Sequence, residues 1–166
     1  MTSPYHISFS TPFGWMRPVS DGHALTRLDW DQQPWDAPDN PDNVSRETMT
    51  QLQSYFAGER RTFDLPLNPE GKSVAGRQWL EVMATIPYGS TYSYKEYAIA
   101  AGKPGAARAA GSACATNPIP IIFPCHRVVK TDGSLGNYGG GSDYDPQHPD
   151  NLGRKAALLA LESARR

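Results

Sequence analysis

A chain of 166 residues, 39% of them hydrophobic and 10% aromatic, has the material for one ordinary domain or two small ones and is too apolar for a disordered segment. Its two cysteines, Cys114 and Cys125, are too few for a disulfide framework. No apolar run resembles a signal peptide or a membrane span, which points to a reducing, cytoplasmic compartment and no membrane partner. The net charge of −1 is unevenly spread: residues 1–70 carry 5 Lys and Arg against 10 Asp and Glu, and residues 71–130 carry 7 against 2. The basic segment suits phosphate binding and is equally compatible with an ordinary solvated surface.

The first thirty residues read as strands over 5–9, 14–19 and 24–30, separated by turns at Thr11-Pro-Phe-Gly14 and Asp21-Gly22, an antiparallel meander. After a polar, proline-rich link from Pro34 to Asp42, a helix is predicted over 44–57, with Asn43 and Ser45 as cap candidates and Met49, Leu52 and Phe56 at helical spacing. Residues 63–67 read as one more strand or edge segment. A boundary near residue 70 makes 1–70 a small α/β domain without a chemical motif.

Residues 71–166 read as mainly helical. A helix over 75–85 is stopped by Ile86-Pro-Tyr-Gly89, and a second over 94–101 is capped by Ser93 and ends at Gly102. Pro104 opens a third over 105–114, so the two short helices form a helix-turn-helix. A last helix covers 152–164. In the third helix, alanines, Gly111 and Ser112 surround a single long side chain, Arg108. Such a bare surface fits a groove about 6 Å wide, like the DNA minor groove, with Arg108 as a wedge into the base stack. It also fits a helix packed tightly on a neighbour.

Cys125 lies in Pro124-Cys-His-Arg127, after Asn117-Pro-Ile-Pro-Ile-Ile-Phe123 and before Gly136-Asn-Tyr-Gly-Gly-Gly141. A free thiol with a pKa of about 8.5 is mostly protonated near neutral pH, and a neighbouring histidine is a common remedy. A buried structural cysteine is the competing reading. Pro118, Pro120 and Pro124 bias their predecessors towards extended backbone, so Cys125 is expected on a stiff extended segment. Adjacent side chains there face opposite ways, so His126 would need local bending or a water to reach the thiol. Glu162 falls three and four residues after Leu159 and Leu158, on the apolar face of its helix, where a carboxylate wants a buried partner. An ion pair with Arg165 or Arg166 is the alternative. The glycine stretch lacks the Gly-Lys-Ser/Thr ending of a phosphate loop, and the cysteines and histidines lack paired zinc-ligand spacing, so no metal is expected.

Five blocks, Ile86-Pro-Tyr-Gly-Ser-Thr-Tyr-Ser-Tyr94, Ala106-Ala-Arg-Ala-Ala-Gly111, Asn117 to Val129, Gly136 to Gly141 and Lys155-Ala-Ala-Leu-Leu-Ala-Leu-Glu162, resemble the O6-alkylguanine-DNA alkyltransferase family in content and order. Weaker similarity extends back through Tyr55-Phe-Ala-Gly58 and residues 63–67. The resemblance implies an N-terminal α/β domain over 1–70, ribonuclease H-like, with a small antiparallel sheet and a helix. It implies a mainly α domain over 71–166 carrying the helix-turn-helix and the active-site cysteine. The implied activity is direct-reversal DNA repair without a cofactor, by a monomer in the cytoplasm or on the nucleoid. Duplex DNA would be bound through its minor groove, and O6-alkylguanine, with O4-alkylthymine as a second substrate, flipped out and dealkylated irreversibly onto Cys125.

By the same resemblance, His126 would generate the thiolate through a water, Glu162 would orient the imidazole, Tyr94 would donate to the guanine ring, and Asn117 would tie the helix-turn-helix to the cysteine segment. A helix-start core aromatic and a plain Asn-Pro turn are the other readings of the last two. Ala107, Arg108, Ala109, Gly111 and Ser112 would meet DNA. Tyr138 would wall the base pocket, Gly139 N–H would face O6, and the Val128 carbonyl would receive the exocyclic amine.

The chain departs from the family pattern in two places. Trp79 is kept while an upstream phenylalanine is lost, and residues 142–153 look like an acidic insertion, expected to point away from DNA. Two other functions fit parts of the sequence: a lesion-binding module without chemistry, against which Cys125 argues, and a thiol hydrolase using His126 or His148.

Overall fold

The computed structural model describes residues 5–138 and 148–164, and the chain divides into two compact units, Met1–Glu70 and Gly71–Arg166. In the first unit, β1 (Tyr5–His6), β2 (Phe9–Thr11), β3 (Gly14–Ser20) and β4 (Leu25–Asp31) precede α1 (Asn43–Phe56). β1 and β2 pair antiparallel with one edge of β3 and β4 with the other, so β2, β3 and β4 form the meander.

The strand expected over 5–9 is split, and Pro18 explains the break. β1 and β2 keep one register on β3, with His6 opposite Val19 and Phe9 opposite Met16. The His6 and Ser8 N–H groups turn outward, to the Asn40 carbonyl at 2.8 Å and the Asp39 carboxylate at 3.0 Å. Ile7 therefore faces Pro18, which has no N–H to give the ladder.

The cap of α1 is Asp42, not Asn43 or Ser45. Its carboxylate accepts from Ser45 N–H at 2.8 Å while the Ser45 hydroxyl accepts from Asp42 N–H at 2.9 Å, a capping box that leaves Ser45 at the third helical position. The segment 63–67 forms no strand, because both backbone groups of Asp64 are taken by the Gln51 side chain, each at 3.0 Å. Only its end reaches the sheet edge, where Leu67 bridges Leu25. Met16, Val19, Leu25, Leu28, Leu52 and Tyr55 are the buried core of this unit.

The second unit holds α2 (Val74–Met83), β5 (Tyr92–Ser93), α3 (Tyr94–Ala100), α4 (Ala107–Ala115), a 3-10 turn at Cys125–Arg127, β6 (Val128–Val129) and α5 (Pro149–Ala164). Ser93 caps α3, accepting from Glu96 N–H at 3.0 Å while Glu96 reciprocates at 2.7 Å. α3 and α4 pack on each other. α4 begins two residues later than expected because Gly105 lies in the left-handed region at φ 88°, outside the helical range. α5 starts at Pro149, so residues 149–153 of the expected insertion belong to that helix; residues 142–147 lie outside the described part.

Unforeseen is a two-residue parallel pairing of β5 with β6, Tyr92 opposite Val128 and Ser93 opposite Val129. It sets the start of α3, and with it Tyr94, beside the segment that follows Cys125. Among the described residues, no helix is long and apolar enough to cross a membrane.

Candidate active site

The chain entering the site is tightly turned, not extended. Ile121 sits at φ 71°, a region β-branched residues rarely adopt. It is held there by Ile122 N–H on the Pro120 carbonyl at 2.8 Å and Phe123 N–H on the Ile119 carbonyl at 3.0 Å. Asn117 braces the same turn: its carboxamide oxygen accepts from Ile119 N–H at 2.9 Å and its nitrogen donates to the Phe123 carbonyl at 2.8 Å. That nitrogen also lies 3.2 Å from Cys125 Sγ. Asn117 thus links the end of α4 to the cysteine through the loop.

Because Cys125–Arg127 is a 3-10 turn, the alternation expected of a strand does not apply. The turn lets His126 and Arg127 both reach Glu162 on α5. His126 Nε2 is 2.7 Å from one carboxylate oxygen; Arg127 donates Nε to the other at 2.8 Å and Nη2 to the first at 2.9 Å. Gly89 N–H adds a long contact of 3.4 Å. Arg127 Nη1 donates to the Ile86 carbonyl at 2.7 Å. Glu162 therefore pairs with His126 and Arg127; Arg165 and Arg166 lie outside the described residues.

Cys125, His126 and Glu162 are all buried. Burial pushes the Cys125 thiol up to about 11, with the Asn117 hydrogen bond and the Lys155 ammonium acting against it. Burial lowers the His126 pKa, opposed by Glu162 and assisted by the positive charges of Arg127 and Lys155. Burial alone would raise Glu162, but the hydrogen bonds from His126 and Arg127 hold it well below the usual carboxylate range. A carboxylate so engaged takes the proton on Nε2 as its hydrogen-bond partner. His126 Nδ1 is buried with no hydrogen-bond partner among the described residues.

Two turns before Glu162 on the same buried face of α5 is Lys155. Its ammonium donates to the carbonyls of Val128 at 2.6 Å and Asn137 at 3.0 Å, and to that of Leu135. It fastens the 135–137 segment to β6 and lies 5.8 Å from the Tyr94 ring centroid. The Tyr94 hydroxyl accepts from Asn137 N–H at 3.1 Å, and burial raises its pKa to about 12, so it keeps its proton at neutral pH. Gly136, at φ 75°, passes so close that a Cβ there would stand 2.5 Å from the Tyr94 hydroxyl oxygen. Only glycine fits both constraints.

A cleft of about 570 Å³ opens beside Tyr94, walled by Ala107, Arg108, Gly111, Ser112 and Ala115 of α4 and by Lys130, Gly136 and Asn137 opposite. Of the expected DNA-facing residues, Ala107, Arg108, Ala109 and Ser112 are exposed, and Ala109 lies off the cleft lining. The base-pocket expectations fare differently. Tyr138 is fully buried and, like Val128, does not line the cleft; the Val128 carbonyl accepts from Lys155, and Gly139 lies outside the described residues. His148 sits at the start of α5, its Nδ1 accepting from Asp150 N–H at 3.1 Å. Sequence reasoning missed Arg127 and Lys155 as parts of the site. The available signal for Lys155 was its place seven residues before Glu162, on the same helical face.

Comparison with known proteins gives a consistent picture. Residues 76–164 match the family model for the 6-O-methylguanine DNA methyltransferase DNA binding domain, and residues 5–69 that for the ribonuclease-like domain of the same name. A methylated-DNA–protein-cysteine methyltransferase of Mycobacterium bovis is 39% identical over 165 residues, covering 97% of this chain and 93% of that protein. The constitutive one of Bacillus subtilis is 38% identical, covering 82% and 87%. Among solved structures, Mycobacterium tuberculosis OGT in complex with DNA superposes with a TM-score of 0.80 at 38% identity, covering 97% of this chain and 94% of that one.

The Glu162 geometry sets a pH dependence of stability. A carboxyl whose folded pKa lies below its ordinary 4.5 contributes stability that is complete above that value and is lost as pH falls through the folded pKa. Urea unfolding is expected to show Glu162→Gln less stable than wild type by about 3–5 kcal/mol at pH 7, since it strands the buried Arg127. The gap should narrow progressively below pH 4.5.

Proposed function

The chain belongs to the 6-O-methylguanine DNA methyltransferase family, and from that premise we propose that it reverses O6-alkylguanine damage in duplex DNA by moving the alkyl group onto Cys125. The observations that carry this reading are the contacts Asn117–Cys125 and His126–Glu162, with a buried imidazole nitrogen, His126 Nδ1, that has no hydrogen-bond partner among the described residues and belongs to the residue that follows the thiol.

The steps balance without any added reagent. The Cys125 proton passes through a water to His126 Nδ1, sulfur attacks the alkyl carbon, and the carbon–oxygen bond breaks with its electron pair going to the base. The Tyr94 hydroxyl, protonated at neutral pH, meets the negative charge developing on guanine. In the net reaction the thiol proton ends on guanine and a thioether replaces the thiol. Nothing in the site breaks a thioether, so each molecule acts once.

O6 of a stacked guanine is out of reach of a buried thiol, so the base has to leave the helix, and a damaged pair is cheaper to open. The cleft beside Tyr94 receives it. The exposed small residues of α4 let that helix approach the minor groove, and Arg108 fills the gap left in the stack. All these groups come from residues 71–166 of one chain, so a monomer suffices. Both cysteines are free thiols, which suits a reducing compartment such as the cytoplasm.

Mixing the protein with a duplex carrying one O6-methylguanine and weighing the intact protein is expected to show a gain of one methyl group, located on Cys125 and absent in Cys125→Ala. Restored DNA with unmodified protein would rule out the transfer. For the wedge, Arg108→Ala is expected to slow repair in duplex DNA far more than transfer from a free alkylguanine base; equal losses in the two assays would remove that role.

A further inference from the structure

Arg127 supplies more of the contacts to Glu162 than His126 does. Its guanidinium meets both carboxylate oxygens, its third arm is fixed on the Ile86 carbonyl, and its Cζ lies over the Tyr88 ring, 5.6 Å from the centroid. Held on three sides and buried, it is a fixed positive charge paired one-to-one with Glu162.

The charged and titratable groups around His126 are Glu162 and Lys155 from α5, and Arg127 and Cys125 from its own turn; Cys114 of α4 interacts electrostatically with Cys125, and Tyr94 lies under Lys155. With Arg127 present, the carboxylate is already neutralised, and a proton added to His126 makes an uncompensated buried cation beside Lys155. Without Arg127, Glu162 would face the imidazole alone at 2.7 Å and hold it as imidazolium, with no lone pair left on Nδ1. Opposite charges this close favour the charged form of each.

We propose that Arg127 is a positioning residue that keeps His126 a neutral base by balancing the charge of Glu162. The inference rests on the reading of His126 as the base that receives the thiol proton. It extends the site from a histidine and a carboxylate to an arginine, a carboxylate and a histidine in which the arginine sets the protonation state.

The test is the pH dependence of single-turnover methyl transfer from duplex O6-methylguanine at saturating protein. Wild type should lose rate on the acid side, and His126→Gln should lack that limb. In Arg127→Met the limb should move up by on the order of one pH unit or more, so that the defect at pH 7 is largely recovered at pH 9. Arg127→Lys, which keeps the charge, should leave the limb in place, and Arg127→Met combined with Glu162→Gln should bring it back.

If the limb persists in His126→Gln, the base reading fails and this inference with it. If the limb belongs to His126 but stays put in Arg127→Met, only the inference fails, since a bracing role lowers the rate equally at every pH. Independently of how any variant folds, the nitrogen chemical shifts of wild-type His126 should show a neutral ring protonated on Nε2 at pH 7. An imidazolium there overturns the proposal.

Discussion

The carboxylate of Glu162 is buried on α5, and a charge in that position is tolerable only with partners that satisfy its lone pairs. Both partners come from the turn that starts at Cys125: His126 on one oxygen, Arg127 on both. The requirement to pair one buried charge therefore docks the last helix onto the cysteine turn and fixes the imidazole. Through Arg127 it also draws in the Ile86 carbonyl that follows α2. Lys155 repeats the logic two turns earlier with three backbone carbonyls as its partners. One face of one helix thus holds the histidine, the segment after the cysteine and the 135–137 wall of the cleft.

Rigidity around the thiol has a conformational cost. Ile121 in the left-handed region is of the order of 1–3 kcal/mol less favourable than an ordinary conformation, and the two short turns around it, with the three Asn117 contacts, keep it there. Gly136 meets a similar demand without strain, because it has no side chain to collide with Tyr94. The result is a thiol, an imidazole and a phenol set by hydrogen bonds and by backbone shape before any substrate arrives, which is what orienting a single-use nucleophile calls for.

Elements with a local signal were legible in the sequence. Ser93 marked the start of α3, and the leucines three and four residues before Glu162 placed that carboxylate on a buried face. The rest depended on tertiary partners. Asp42 outcompeted Asn43 as a cap because Ser45 reciprocates and Ser20 also donates to it. β5 and β6, two residues each, are too short to show a period, yet they bring Tyr94 to the cysteine segment. Prolines at 118, 120 and 124 suggested an extended run, but they constrain only their predecessors and left Ile121 free to turn. The partner of the Val128 carbonyl, Lys155, is 27 residues away in the chain, a pairing that no local pattern records.

The most direct test of this account is a crystal structure of Cys125→Ser bound to a duplex containing one O6-methylguanine. The account predicts the damaged base rotated out of the helix into the cleft beside Tyr94, its methyl carbon about 3–3.5 Å from the residue 125 hydroxyl, and Arg108 in the vacated stack. A lesion still stacked in the duplex, or a base held elsewhere with the cleft empty, would contradict it.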